Sequence, residues 1–159
     1  EGEPMMTLIE QWKAEGKKIV FTNGVFDILH VGHVTYLQQA QSLGDVLIVG
    51  LNSDTSVKRL NKGPERPIHD EQARKKVLEA LRFVDAVIIF NEDTPLELIL
   101  SIKPDILVKG GDYSPEISDP QDKRYMVGSQ EIKLWGGSAT ALPIVAGYST
   151  TAAVQKMKR

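Results

Sequence analysis

The chain has no cysteine, which excludes disulfides, thiolate catalysis and cysteine-held zinc. It has no apolar run approaching the roughly 20 residues that cross a bilayer. Its start, Glu1-Gly2-Glu3-Pro4, has neither the basic nor the apolar stretch of a secretory leader. A cytoplasmic protein is expected. Positive charge is not in excess either: 19 Lys and Arg stand against 21 Asp and Glu, with a net charge of −2 and a pI near 5.9. Nucleic-acid binders usually carry a basic face. The basic cluster at Lys156, Lys158 and Arg159 reads more simply as a solvated helix end. Neither nucleic acid nor membrane is therefore expected as a partner. Low-complexity segments and internal repeats are also missing.

What remains is an ordinary globular composition, 42% hydrophobic and 25% charged over 159 residues, enough for one domain with its own core. Met6, Ile9 and Trp12 at helical spacing predict a helix over 5–15, within an N-terminal extension of 1–16 ahead of a main domain of 17–159. Apolar runs then predict strands at 18–22, 45–51, 84–90, 105–109, 131–135 and 139–143. Helices are predicted between them. One spans 32–43, stopped by Gly44. One begins at the caps Asn52, Ser53 and Asp54. One spans 70–82, capped by Asp70, with Ala73, Val77, Leu78 and Leu81 along one face. Others span 95–102 and 122–128, and the last follows Ser149. The segments 61–69 and 110–121 read as loops. Alternating strands and helices indicate an α/β fold: a three-layer, Rossmann-like, doubly wound parallel sheet in a single domain. Such sheets bind ligands beyond the carboxyl ends of their strands, at the switch point. The loops after Thr22, Leu51, Phe90 and Lys109 are the ones to watch.

The first of these carries GVFDILHVGH, residues 24–33. His30 and His33 are three apart at a helix start and can point the same way. Gly32 lets a phosphate approach the backbone, and the N–H groups of a first helical turn favour an anion. Paired imidazoles there suit transfer at an α-phosphate, whose transition state spreads charge over non-bridging oxygens. The bland alternative packs His30 in the core and leaves His33 as a cap. A second anion site is suggested at Tyr148-Ser149-Thr150-Thr151, otherwise a plain helix cap. A third motif is Lys109-Gly110-Gly111-Asp112-Tyr113, where glycines allow close approach of a ligand and Asp112 could instead cap a turn. Lys62 lies in a polar loop and is otherwise solvated. Arg74 could equally form a surface salt bridge with Asp70 or Glu71. Asp54 could be a helix cap, and His69 reads as a loop residue. No acidic or histidine grouping has metal-ligand spacing.

GVFDILHVGH resembles the signature of the H-x-G-H nucleotidyltransferases, the superfamily of cytidylyltransferases and pantetheine-phosphate adenylyltransferases. With LNSDTSVKRLNKG, RPIHDEQARKKVLEAL, PDILVKGGDY and YSTT, the chain is most similar to the adenylyltransferase module of ADP-heptose synthesis. The resemblance implies transfer of AMP from ATP to D-glycero-β-D-manno-heptose 1-phosphate, giving ADP-heptose and pyrophosphate. It implies catalytic roles for His30, His33 and Lys62. Nucleotide contacts would come from Asn23, Gly24, Val25, Phe26, Gly32, Asp54, Gly110, Asp112, Ser149, Thr150 and Thr151. Acceptor contacts would come from Asp27, Arg74 and Lys109, and Arg59 and Arg66 are weaker candidates beside Lys62 for binding phosphate. Mg²⁺ would be held mainly by the ATP phosphates. A homodimer is the family expectation. The module is often fused behind a sugar kinase, for which this chain has no room, so a stand-alone or excised form with a separate kinase is expected. The rivals are a cytidylyltransferase for glycerol 3-phosphate or a similar alcohol phosphate, a flavin-nucleotide adenylyltransferase, and a non-catalytic nucleotide-binding module.

Overall fold

The computed structural model describes residues 2–60, 62–145 and 149–158. Among them five strands form one parallel sheet: Ile19–Gly24 (β1), Val46–Asn52 (β2), Ala86–Phe90 (β3), Ile106–Gly110 (β4) and Ser138–Leu142 (β5). Their spatial order is β3-β2-β1-β4-β5. The chain steps outward from β1 to β3, then crosses back to place β4 on the other side of β1. The order therefore reverses between β1 and β4, and the loops leaving their carboxyl ends diverge there.

The helices are Gly2–Ala14 (α1), Val31–Gln41 (α2), Asp54–Arg59 (α3), Glu71–Glu79 (α4), Leu96–Ile102 (α5) and Thr150–Met157 (α6). They cover the sheet on both faces. Val20, Leu47, Val49, Val87 and Val108 pack against Tyr36, Leu37 and Ala40 of α2 and Leu78 of α4. The alternate strand residues Ile19, Phe21, Ile48, Ala86 and Leu107 pack against Ile9 of α1 and Ile99 and Ile102 of α5. Side chains alternate between the faces of a strand. A strand covered on both sides is thus apolar throughout, as the fully buried β2 shows. The helix expected as an N-terminal extension lies on this second face, with Ile9 only 1% exposed.

The structure departs from the expected elements in three places. The segment 122–128 forms turns, not a helix. Asp122 accepts the Arg124 backbone N–H at 2.9 Å and its guanidinium at 3.0 and 3.1 Å, so a side chain occupies groups a helix would use. The segment expected as a strand at 131–135 is a 3-10 helix, Glu131–Trp135. A strand would point Ile132 and Leu134 to the same face, yet Ile132 is fully buried and Leu134 is 83% exposed. Helix α4 is rotated from its expected face. Ala73 is exposed and Val77 is 51% exposed, while Arg74 and Leu78 point inward. The buried arginine wins that position because its polar atoms are all satisfied there. At the start of α5, Pro95 is the cap residue and Thr94 Oγ1 accepts only a long 3.4 Å bond from the Leu96 N–H. No helix among the described residues is long and apolar enough to cross a membrane.

Candidate active site

A cavity of about 690 Å³ opens at the carboxyl ends of β1, β2 and β4, within the size range of small-molecule sites. Its floor begins where β1 ends, at Asn23 and Gly24. Val25, Phe26 and Asp27 turn the chain toward α2. Phe26 takes φ +48°, a left-handed conformation that is costly for a side chain of this size. It is tolerated beside a glycine: a Cβ on Gly24 would lie 2.9 Å from the Phe26 ring. The ring then meets His33 edge-on at 5.4 Å.

His30 caps α2 in extended conformation, and the helix begins at Val31. The His30 Nδ1 accepts the Gly32 N–H at 3.1 Å, and the His33 Nδ1 accepts the His30 N–H at 3.3 Å. The spacing of three thus closes a reciprocal capping box. The two rings stack 3.9 Å apart at 25°. Because each Nδ1 accepts, the neutral rings carry their protons on Nε2, and both residues line the cavity. The N–H of Gly32, expected to be open to an anion, is already taken by His30, and Gly32 is not among the cavity residues. Burial lowers the pKa of His30; burial and then the His30 charge pull His33 down to about 4. At neutral pH both rings are uncharged donors, and an arriving polyanion would raise their pKa values again.

The lining also carries cations. Lys109, near the end of β4, donates to the Asn23 carbonyl at 3.2 Å and sits 5.3 Å from the centre of the Tyr113 ring. Burial, then the nearby Lys62 ammonium, lower its pKa to about 8. Burial and Arg66 lower that of Lys62. The carboxylates in the lining do not neutralise these lysines. Asp93 pairs with Arg59 at 2.6 Å. Asp27 is saturated: Oδ2 accepts from Arg66 Nε and the Ile68 N–H, each at 2.7 Å, and Oδ1 accepts from the His69 N–H at 2.9 Å. Burial alone would raise the Asp27 pKa, but the backbone bonds from His69 and Ile68 and the Arg66 guanidinium outweigh it and hold the carboxyl ionised. Asp27 therefore clamps the 66–69 loop to the β1–α2 turn, with no oxygen left over in this arrangement. Ser149 and Thr151, at the start of α6, complete the wall. Tyr148 lies outside the described residues, as does the Thr150 side chain.

Several expected residues lie elsewhere. Arg74 is 1% exposed and does not line the cavity. Its Nε donates to the His69 carbonyl at 2.9 Å, Nη1 to the carbonyls of Val25 and Asn52 at 2.9 and 2.7 Å, and Nη2 to Asp54 Oδ1 at 2.8 Å. The buried Arg74 thus forms a strut under the loops with the partly exposed Asp54, and neither residue lines the cavity. Gly110 also lies off the cavity, its missing Cβ leaving room for the Tyr36 ring at 3.1 Å. Asp112 is exposed and does not line the cavity. Conversely, Asp93, Thr94, Pro95, Lys123, Tyr125 and Val127 line it without having been singled out. The first three follow β3, a strand end already marked. Nothing in the sequence marked the others.

Among the described residues no cluster of acidic or histidine side chains could hold a metal ion. Of the two carboxylates in the lining, Asp27 is held by Arg66 and two backbone N–H groups, and Asp93 pairs at the surface with Arg59.

The sequence profile of the cytidylyltransferase-like family matches residues 21–156. The chain is 54% identical over 152 residues to the bifunctional protein HldE of Geobacter metallireducens, covering 96% of this chain and 29% of that protein. It is 52% identical over 154 residues to HldE of Hyphomonas neptunium, covering 97% of this chain and 30% of that one. The chain thus spans less than a third of the length of these relatives. Among solved structures, the lipopolysaccharide core biosynthesis protein of Thermoplasma volcanium superposes with a TM-score of 0.61 at 32% identity, covering 82% of this chain and 98% of that one. The pantoate-beta-alanine ligase of Francisella tularensis shares the fold alone, with a TM-score of 0.55 at 16% identity over 94% of this chain and 75% of that one.

Proposed function

The chain belongs to the cytidylyltransferase-like family, and from that premise we propose that it transfers AMP from ATP to a sugar 1-phosphate of the D-glycero-β-D-manno-heptose type, releasing pyrophosphate. The observation that carries the reading is the cavity's charge pattern: neutral paired imidazoles together with lysines that have no carboxylate partner among the described residues. Such a site awaits a polyphosphate. Asn23 to Phe26 shape its floor. The Nε2–H of His33, with His30 stacked against it and its own Nε2 buried, donates to a non-bridging oxygen as charge develops at the α-phosphate, and Lys62 and Lys109 offset the charge of the phosphates. Ser149 and Thr151 hold the phosphate tail. The acceptor's phosphate oxygen attacks in line, the bond from the α-phosphorus to the bridging oxygen breaks, and pyrophosphate departs. The nucleophile is already an anion, so no base is required and the protein's work is positioning and charge stabilisation. Magnesium, arriving with the triphosphate, would neutralise phosphate charge.

The choice of sugar rests on the resemblance and on the relatives, the bifunctional HldE proteins; a kinase, fused or separate, would supply the sugar 1-phosphate. ATP as donor fits a cytoplasmic location, and a homodimer is the family expectation. The test is pyrophosphate release with ATP or CTP against heptose 1-phosphate, other sugar 1-phosphates and glycerol 3-phosphate. ATP with heptose 1-phosphate should be the fastest pair. A preference for CTP with glycerol 3-phosphate would replace this reading with the cytidylyltransferase one. Tight ATP binding without release on any acceptor would favour a non-catalytic module.

A further inference from the structure

The proposed reaction brings together two anions, the triphosphate and the acceptor's phosphate, and each needs its own counter-charge. Lys62 and Lys109 both line the cavity, and Lys62 is close enough to lower the pKa of Lys109, so the two are taken as one cationic locus. Lys123 is a different one. It lines the same cavity but makes no hydrogen bond or ion pair among the described residues, and it is not among the charges that perturb Lys62 or Lys109.

Its position is built by the loop between β4 and the 3-10 helix. The Ser114 N–H donates to the Arg124 carbonyl at 2.8 Å, tying the two limbs of the loop together. The Arg124 guanidinium grips Asp122. Met126 is fully buried in the core beneath, and Gly128, at φ +91°, leaves no room for a Cβ, which would fall 2.9 Å from Ile99 Cδ1. Between these anchors the chain runs through turns, closed by the Tyr125 N–H donating to the Asp122 carbonyl at 3.0 Å. Lys123, Tyr125 and Val127 face the cavity, while Met126 faces the core. An exposed ammonium with no partner among the described residues, next but one to a half-buried phenol, suits a phosphorylated, polyhydroxylated ring. The ammonium takes the phosphate, and the phenol presents an apolar ring face with a polar tip.

We propose that Lys123 receives the phosphate of the acceptor and Tyr125 its sugar ring, making the 113–127 loop the part of the site that sets acceptor specificity. This assignment rests on the transferase reading above. It divides the cavity into a nucleotide half, bounded by the histidines, Lys62 and α6, and an acceptor half on the β4 loop.

The test compares K123A, K123R and K62A with the wild-type chain. In pyrophosphate release, K123A should raise the KM for heptose 1-phosphate about 10- to 100-fold, the worth of one charge-assisted hydrogen bond. The KM for ATP should stay within about twofold, and K123R should restore much of the loss. In a binding arm that needs no turnover, inorganic phosphate is titrated calorimetrically into protein saturated with a non-hydrolysable ATP analogue. K123A should bind it at least tenfold more weakly than wild type, with the affinity for the analogue unchanged. Equal phosphate binding by K123A and wild type overturns the assignment, as does a loss of analogue affinity as large as that in K62A. Absence of pyrophosphate release from wild type with every sugar 1-phosphate would sink the function proposed above, and the phosphate titration would still decide the place of Lys123.

Discussion

Replacing Arg74 tests whether this residue is a buried strut or a substrate contact. The structure makes it a strut: one guanidinium joins the β1 loop at Val25, the end of β2 at Asn52, the 66–69 loop at His69 and the start of α3 at Asp54. Arg74→Ala removes the donor to three carbonyl oxygens. A buried acceptor left unpaired costs about 1–3 kcal/mol. The Asp54 carboxylate, 34% exposed, can turn to water and adds little. Water entering the space left behind will relieve part of the carbonyl cost. A net loss of about 4 kcal/mol follows, in the range found when one member of a buried charged pair is removed. For a chain of this size that lowers Tm by roughly 8–16 °C. Arg74→Lys keeps the charge but cannot serve four acceptors, so it should recover less than half of the loss. Urea and thermal unfolding, followed by the fluorescence of Trp12 and Trp135, measure the stability. Pyrophosphate release below the transition measures the site. Arg74→Lys folding with wild-type stability while its acceptor KM rises more than tenfold would refute the strut and restore the substrate contact.

His33→Ala should lower turnover about 100- to 1000-fold at saturating ATP, as expected for a donor aimed at developing charge; near wild-type turnover would end the proposed mechanism. Gly24→Ala should leave the fold intact yet cut turnover by about 100-fold, because its Cβ displaces Phe26 and through it the edge-on contact with His33; unchanged kinetics would show that this contact does not position the imidazole. Lys109, with its pKa lowered to about 8, is charged below that pH and loses its proton as pH rises through it. ATP affinity measured by calorimetry should therefore weaken between pH 7 and pH 9.5 by about fivefold, close to 1 kcal/mol for the loss of one ion contact. Lys109→Met should be weak at both pH values, and a variant that keeps the wild-type pH dependence would remove Lys109 from the anion site.

The strands were legible because burial on both faces leaves a continuous apolar run, as at Val46–Asn52. The α2 start was legible because the spacing of His30, Gly32 and His33 is itself a local hydrogen-bonding pattern. Where local signals conflicted with packing, packing prevailed. The 131–135 segment alternates like a strand, but Leu134 had nothing to pack against and the backbone closed into a 3-10 turn. In α4 the hydrophobic pattern pointed to Val77, while four hydrogen-bond acceptors from other parts of the chain drew Arg74 inward instead.

The sequence by itself determined the five strands of the sheet, the histidine pair at the first strand's end, and the family, since these rest on neighbours within a few residues. Only the tertiary structure decided which charges face one another. Asp27 is spent on Arg66 and two backbone N–H groups some 40 residues on, Asp54 on Arg74, and Lys123 and Tyr125 arrive on the cavity wall from a loop whose anchors lie in the core. The pairing of a charge depends on distances through space, and spacing along the chain does not encode them.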